Sequence, residues 1–144
     1  MNDDPPVILL IEDNPDHAEM IIRLLRRYHA SARIEHLSDG EAALAYLFRR
    51  GKYSDPLEYP MPRLVLLDLR LPRVDGLDIL KQIKRSEELC RIPVVILTTS
   101  EADGDIAGAC GLCANSYLVK PMDLEAFARM IETMGQYWLV WNRH

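Results

Sequence analysis

Four places in the chain carry groups that could do chemistry together: Glu12-Asp13, Asp68, Thr98 and Lys120. Each closes an aliphatic run, "VILLI" before Glu12, "LVLL" before Asp68, "VVIL" before Thr98 and "YLV" before Lys120. Three carboxylates gathered within a few ångströms repel by about 4 kcal/mol per pair at an effective dielectric of about 20. That is a large fraction of a domain's stability, and a divalent cation removes it. Oxygen donors without His or Cys at these ends suit Mg²⁺ better than zinc. Beside such an ion an anion can approach Asp68, with the Thr98 hydroxyl and the Lys120 ammonium on two of its oxygens. The Asp68 carboxylate can then attack phosphorus and form an acyl phosphate. Taken singly, Glu12-Asp13 reads equally as a solvated turn and helix cap, Asp68 as a turn former and Lys120-Pro121 as a loop. Only their joint placement on one edge selects the chemistry.

The elements that must place them repeat one unit. Runs suited to buried strands stand at Val7 to Ile11, Ile34 to Leu37, Leu64 to Leu67, Val94 to Leu97 and Tyr117 to Val119, with starts about 23 to 30 residues apart. That is the length of a strand plus a crossover helix. In "DHAEMIIRLLRRY", Met20, Ile21, Leu24, Leu25 and Tyr28 share a face, with Asn14 as N-cap and Pro15 at the first helical position. A second helix fits Gly40 to Arg50. A third fits "GLDILKQIKRS", capped by Asp75 with Leu77, Leu80 and Ile83 inward; both end on basic residues, as the helix dipole favours. A short fourth falls in "ADGDIAGAC", and a fifth begins near Met122 or Asp123 and runs toward or past Gly135. Aliphatic strands alternating with helices predict a doubly wound, five-stranded parallel sheet flanked by five helices. Sites in such sheets form at the carboxyl ends of the strands.

Composition narrows the function. The 144 residues suffice for one domain with a real core. With 17 basic and 22 acidic residues the net charge is −5, and basic residues cluster no further than Arg26-Arg27 and Arg49-Arg50, which excludes nucleic acid as a direct partner. The acidic start "MNDDPP" does not resemble a secretory leader, and no apolar stretch reaches the roughly 18 residues of a membrane span. Three cysteines, Cys90, Cys110 and Cys113, make no disulfide framework and fit a reducing, cytoplasmic setting.

Glu12-Asp13, Asp68 within "LLDLRLPRVDG", Thr98-Thr99-Ser100 and "YLVKP" ending at Pro121, with 30 residues from Asp68 to Thr98 and 22 from Thr98 to Lys120, resemble the receiver domain of two-component response regulators. The resemblance covers nearly the whole chain: residues 1–144 as one receiver domain, with a core over about 6–134 and an aromatic extension over 135–144. It implies the flavodoxin-like strand order 2-1-3-4-5 and Asp68 as acceptor of a phosphoryl group from a phosphohistidine of a sensor histidine kinase. It further implies a Mg²⁺ site formed by Glu12, Asp13, Asp68 and the Arg70 backbone carbonyl, and a switch formed by Thr98 and Tyr117. From the residues alone Tyr117 is equally a core position favoured in strands. Thr99 stands where many receivers carry a smaller residue, and Arg70 and Ser100 occupy the variable positions that tune the phosphoryl lifetime. The long connection "RRGKYSDPLEYPMPR", "ANSYLVKP" and the late "YWL" resemble stand-alone regulators that serve phytochrome-type kinases. Those tend to dimerise through the last strand and helices. The 24 residues after Lys120 allow a last helix and tail but no output domain, so the expected message is altered protein binding, including a homodimer surface at Tyr137, Trp138 and Trp141.

Other readings fit less well. "CGLC" at Cys110 to Cys113 is a single pair without second ligands and reads as structural. His17, His29, His36 and His144 show no ligand spacing, and His17 reads as an exposed residue of the first helix. A haloacid-dehalogenase-type phosphohydrolase would carry an acid two residues after its nucleophile, where this chain has Arg70, so the chain is not expected to be an enzyme beyond its own phosphorylation and dephosphorylation. A docking module that is never phosphorylated would not need the full set of chemical residues. A nucleotide-binding flavodoxin-like protein would open on a phosphate loop instead of "EDNPD".

Overall fold

The computed structural model describes residues 5–98, 116–119 and 123–137. Its strands are β1 (Val7–Ile11), β2 (Arg33–Leu37), β3 (Leu64–Asp68), β4 (Val94–Thr98) and β5 (Ser116–Val119). They form one parallel sheet in the order β2-β1-β3-β4-β5, as expected. The described helices are α1 (Pro15–Tyr28), α2 (Gly40–Leu47), α3 (Gly76–Arg85) and α4 (Leu124–Gly135). The short helix expected in "ADGDIAGAC" lies outside the described residues.

Alternation along the central strands explains the two layers. Leu9, Ile11, Val65 and Leu67 point to one face and pack on Ala43 and Leu47 of α2 and Ile79, Leu80 and Ile83 of α3. Ile8, Leu10, Leu64 and Leu66 point to the other and pack on Ile21 and Leu25 of α1 and Phe127 and Ile131 of α4. All five residues of β1 and of β3 are buried. Each such side chain contributes about 1.5–3 kcal/mol, which is what anchors polar groups at the strand ends. β2 is less aliphatic than a central strand because it is the sheet edge, and its residues are half-buried or exposed.

Helix starts follow their caps: the Asn14 side chain accepts from the N–H groups of Asp16 and His17, and the Asp75 side chain from that of Leu77. One helix end departs from expectation. α2 stops at Leu47 instead of running to Arg50. Arg49 takes a left-handed conformation, φ 56°, and its N–H bonds the Tyr46 carbonyl while that of Arg50 bonds the Ala45 carbonyl. This is a Schellman closure with Arg where Gly is usual, so the basic pair lies beyond the helix instead of in its last turn. In α3 the inward set is Ile79, Leu80 and Ile83, with Leu77 only half-buried.

Past α2 the connection to β3 is tied by three aromatic rings. Tyr46, Tyr53 of a 3₁₀ turn (Gly51–Tyr53) and Tyr59 meet with ring centroids 4.9–5.8 Å apart, tilted or edge-on. The Tyr46 hydroxyl donates to the Pro60 carbonyl at 2.8 Å. Burial, then the nearby Glu35 carboxylate, push its phenol up from 10.0 to about 12. On the opposite face, α1 meets α4 at a notch. A Cβ at Gly135 would clash with the ring of His29, the residue whose backbone N–H caps the end of α1.

Gly135→Ala should therefore lose about 1–3 kcal/mol of stability in urea, and lose less in a His29→Ala background, where the clash is gone. Tyr46→Phe should cost about 1 kcal/mol near neutrality. Because the folded pKa lies above the unfolded one, the neutral phenol's contribution is whole below about pH 10 and fades as the pH rises toward 12. Urea midpoints of wild type and variant should thus converge over that interval.

Candidate metal and phosphoryl site

Glu12 follows β1 directly, and its N–H donates to the Leu37 carbonyl at 3.0 Å, so the β1–β2 ladder continues into the acidic segment. That pairing holds its side chain at the core edge, 1% exposed. Asn14 then serves twice: its side-chain oxygen caps α1, and its own N–H donates to Glu12 Oε2 at 3.3 Å. His36 Nε2 lies 2.8 Å from the Glu12 carbonyl, a contact in which the ring donates. His17 Nδ1 lies 3.9 Å from Glu12 Oε1. Asp13 is exposed beside them.

β3 ends on Asp68, 9% exposed, whose Oδ1 accepts from the Arg70 N–H at 2.9 Å. This turn within the side chain's own loop fixes the carboxylate's direction. The loop is then pressed against the strand end at Gly76. A Cβ there would stand 2.6 Å from Leu69 Cα and 2.8 Å from the Asp68 carbonyl oxygen, so no other residue lets α3 start so close to Asp68. The same loop leans on α2. Arg73, at φ 67°, places a guanidinium nitrogen 3.9 Å from Asp39 Oδ2, while Asp39 Oδ1 caps α2 through the Ala42 N–H.

Carboxylate oxygens of Glu12, Asp13 and Asp68 all lie within 4.8 Å of one another. The structure thus brings together the three acids singled out in the sequence, with the Arg70 main chain on Asp68. Donors sharing a Mg²⁺ at 2.0–2.1 Å stand up to about 4.2 Å apart, so small side-chain adjustments suffice, and the all-oxygen set fits a hard cation. Thr98 closes β4 opposite Val119 of β5, one position beyond Leu97, the register partner of Asp68. Tyr117 lies in β5 opposite Ile96. The side chains of Thr98 and Tyr117, and Lys120, Thr99, Ser100, Cys110, Cys113, Trp138 and Trp141 entirely, lie outside the described residues. Tyr137 is described and is 54% exposed. Sequence reasoning missed the supports: the His17 and His36 contacts on Glu12, and Asp39 with Arg73. Of these only Asp39, an Asp just before a helix, carried a local signal.

The family model for the response regulator receiver domain matches residues 8–132. The chain belongs to the response regulator receiver domain family. It is 50% identical to the probable methanogenesis regulatory protein FilR2 of Methanothrix harundinacea, over 98% of this chain and 88% of that one. It is 38% identical to response regulator Rcp1 of Synechocystis, over 94% of this chain and 90% of the relative. The crystal structure of the Mn²⁺-bound form of Rcp1 superposes with a TM-score of 0.86 at 37% identity, covering 96% of this chain and 98% of that one. That of the phosphorylated cyanobacterial phytochrome response regulator RcpA superposes at 0.88, with 33% identity and coverage of 96% and 97%. This receiver is thus similar to phytochrome response regulators along nearly all its length. Among its described residues, no helix is long and apolar enough to cross a membrane.

Asp13→Asn removes one charge from the cluster. Without divalent cations the variant should be more stable than wild type by about 1 kcal/mol, because Asp13 is exposed and its repulsion is screened. With 10 mM Mg²⁺ the melting temperature of the wild type should rise while that of the variant stays nearly unchanged.

Proposed function

We propose that this receiver accepts a phosphoryl group on Asp68 from a phosphohistidine of a sensor histidine kinase and signals by altered protein binding. The observation that carries this reading is the convergence of Glu12, Asp13 and Asp68 within 4.8 Å, with Asp68 aimed by the Arg70 N–H. In the transfer an Asp68 carboxylate oxygen forms the new bond to phosphorus, the P–N bond of the phosphohistidine breaks, and the imidazole leaves with the bond's electron pair and takes up a proton. Glu12, Asp13, Asp68 and the Arg70 carbonyl would hold Mg²⁺, which would supply charge neutralisation for the phosphoryl oxygens. Arg70 holds the Asp68 carboxylate in one orientation through its N–H, and Glu12 is itself fixed by the Asn14 N–H. Thr98 and Lys120 bind the remaining phosphoryl oxygens, and Tyr117 follows Thr98 as the switch. The protein catalyses only its own phosphorylation and dephosphorylation.

In this reading residues 1–144 act as one cytoplasmic receiver domain without nucleic-acid or membrane contact, and the last strand, the helices beside it and the aromatic segment from Tyr137 form a homodimer surface. Similarity to the phytochrome response regulator RcpA supports a phytochrome-type kinase as donor. A second reading has an observation of its own: 50% identity to a probable methanogenesis regulatory protein supports the same receiver chemistry serving a metabolic circuit. Phosphotransfer from a purified phytochrome-type kinase, timed against unrelated kinases, separates the two. A rate no faster than theirs removes the light-sensing assignment and leaves the receiver chemistry intact.

Intact mass after incubation with acetyl phosphate tests that chemistry directly. A single phosphoryl adduct is expected that requires Mg²⁺ and is missing from Asp68→Asn. Its absence from a wild type that binds Mg²⁺ and also fails to bind beryllofluoride would overturn the proposal.

A further inference from the structure

The edge strand β2 holds the acidic segment by more than the sheet ladder. Glu12 follows β1, and its N–H donates to the Leu37 carbonyl of β2 at 3.0 Å. One residue back along β2, His36 reaches the same peptide with its side chain: Nε2 lies 2.8 Å from the Glu12 carbonyl oxygen. A carbonyl only accepts, so this ring nitrogen carries the hydrogen. Both polar groups of the Glu12 main chain are thus bound to β2, the N–H by backbone and the carbonyl by an imidazole. That carbonyl belongs to the rigid peptide plane joining Glu12 to Asp13, and turning the plane would swing the Asp13 carboxylate with it. Asp13 needs this hold more than its neighbours do. The Glu12 side chain is buried and accepts from the Asn14 N–H, and the Asp68 side chain is nearly buried and accepts from the Arg70 N–H. Asp13 is exposed, so the direction of its carboxylate follows the main chain that carries it, yet its oxygen lies within 4.8 Å of those of the other two acids.

We propose that His36 is a positioning residue for the acidic site: its Nε2–H fixes the Glu12–Asp13 peptide and so holds the Asp13 carboxylate toward Glu12 and Asp68 against their mutual repulsion. The inference rests on the divalent-cation reading above and adds to it a residue that touches neither the ion nor the phosphoryl group. Hydrogen bonds that orient ligands from outside change metal affinity by about 10- to 100-fold when they are removed. His36 is exposed on an edge strand, where water can replace part of its bond, so its effect belongs at the low end of that range.

The test measures Mg²⁺ affinity by calorimetry for wild type, His36→Gln and His36→Leu, with urea unfolding of each metal-free protein alongside. The Gln amide can present an N–H where the imidazole Nε2 stands, whereas Leu supplies bulk without a donor. His36→Leu should fold and bind Mg²⁺ about tenfold more weakly, while His36→Gln should stay within about twofold of wild type. Rescue by Gln is the result that a merely structural role would not give. The sign separates the hydrogen bond from charge, since losing an imidazolium beside carboxylates would strengthen cation binding. Tighter or unchanged binding in His36→Leu, an equal loss in both variants, or a metal-free His36→Leu that fails to fold would each overturn the inference and leave the cation reading standing. A wild type that binds no Mg²⁺ would overturn the cation reading itself, and this inference with it.

Discussion

Mutual repulsion of three carboxylates at the carboxyl edge of the sheet is the constraint around which the rest is built. Glu12 is almost wholly buried and Asp68 nearly so, and neither can move far, since one is held in the strand ladder and the other by the Arg70 N–H. For the buried pair Glu12 and Asp68, about 4 kcal/mol at an effective dielectric of about 20 is a large part of the roughly 5–15 kcal/mol that a domain has in total, while the exposed Asp13 adds less. The molecule tolerates it because β1 and β3, which deliver the acids, are buried on both faces by different helices. Rigid anchoring keeps the charges together. Softer strands would let them separate, and the affinity of the site for a cation would fall with the repulsion that drives it.

The loop after Asp68 shows the same economy of motion. Gly76 permits backbone contact at the strand end, Arg73 accepts a left-handed conformation costing about 1–2 kcal/mol for a non-glycine residue, and Asp39 ties both loop and α2. Val74 closes the arrangement, since a Cβ at Gly40 would stand 2.7 Å from Val74 Cβ. A change of charge at Asp68 therefore acts on a loop that can relieve strain by moving and is in contact with a helix start. Strain held beside a chemical group is a feature of sites that switch.

Legibility in the sequence followed the physics of each feature. Strand ends and the caps Asn14 and Asp75 were readable because burial and capping are local and have few solutions. β2 was harder: an edge strand buries little, so "RIEHL" carries a weak pattern. The end of α2 was hidden because closure depends on Arg49 adopting a left-handed backbone, and nothing in an Arg signals that. The tyrosine cluster, the His29–Gly135 notch and the contacts of His17 and His36 with Glu12 join residues distant in sequence or brought together by a turn.

The two ends of the sheet divide the work. At the amino end Pro6 accepts the Arg33 N–H, the Arg33 side chain reaches the Glu58 carbonyl, and the tyrosine cluster fastens the long connection, all with neutral or paired groups. These contacts need no ion. At the carboxyl end almost every polar contact on the acids depends on charge. A doubly negative group on Asp68 would act first on that end, which is separated from the other by the aliphatic strands. A rigid body with one charge-sensitive edge can therefore change its binding surface near that edge without unfolding, and that is the physical requirement for a protein whose output is a change of partner.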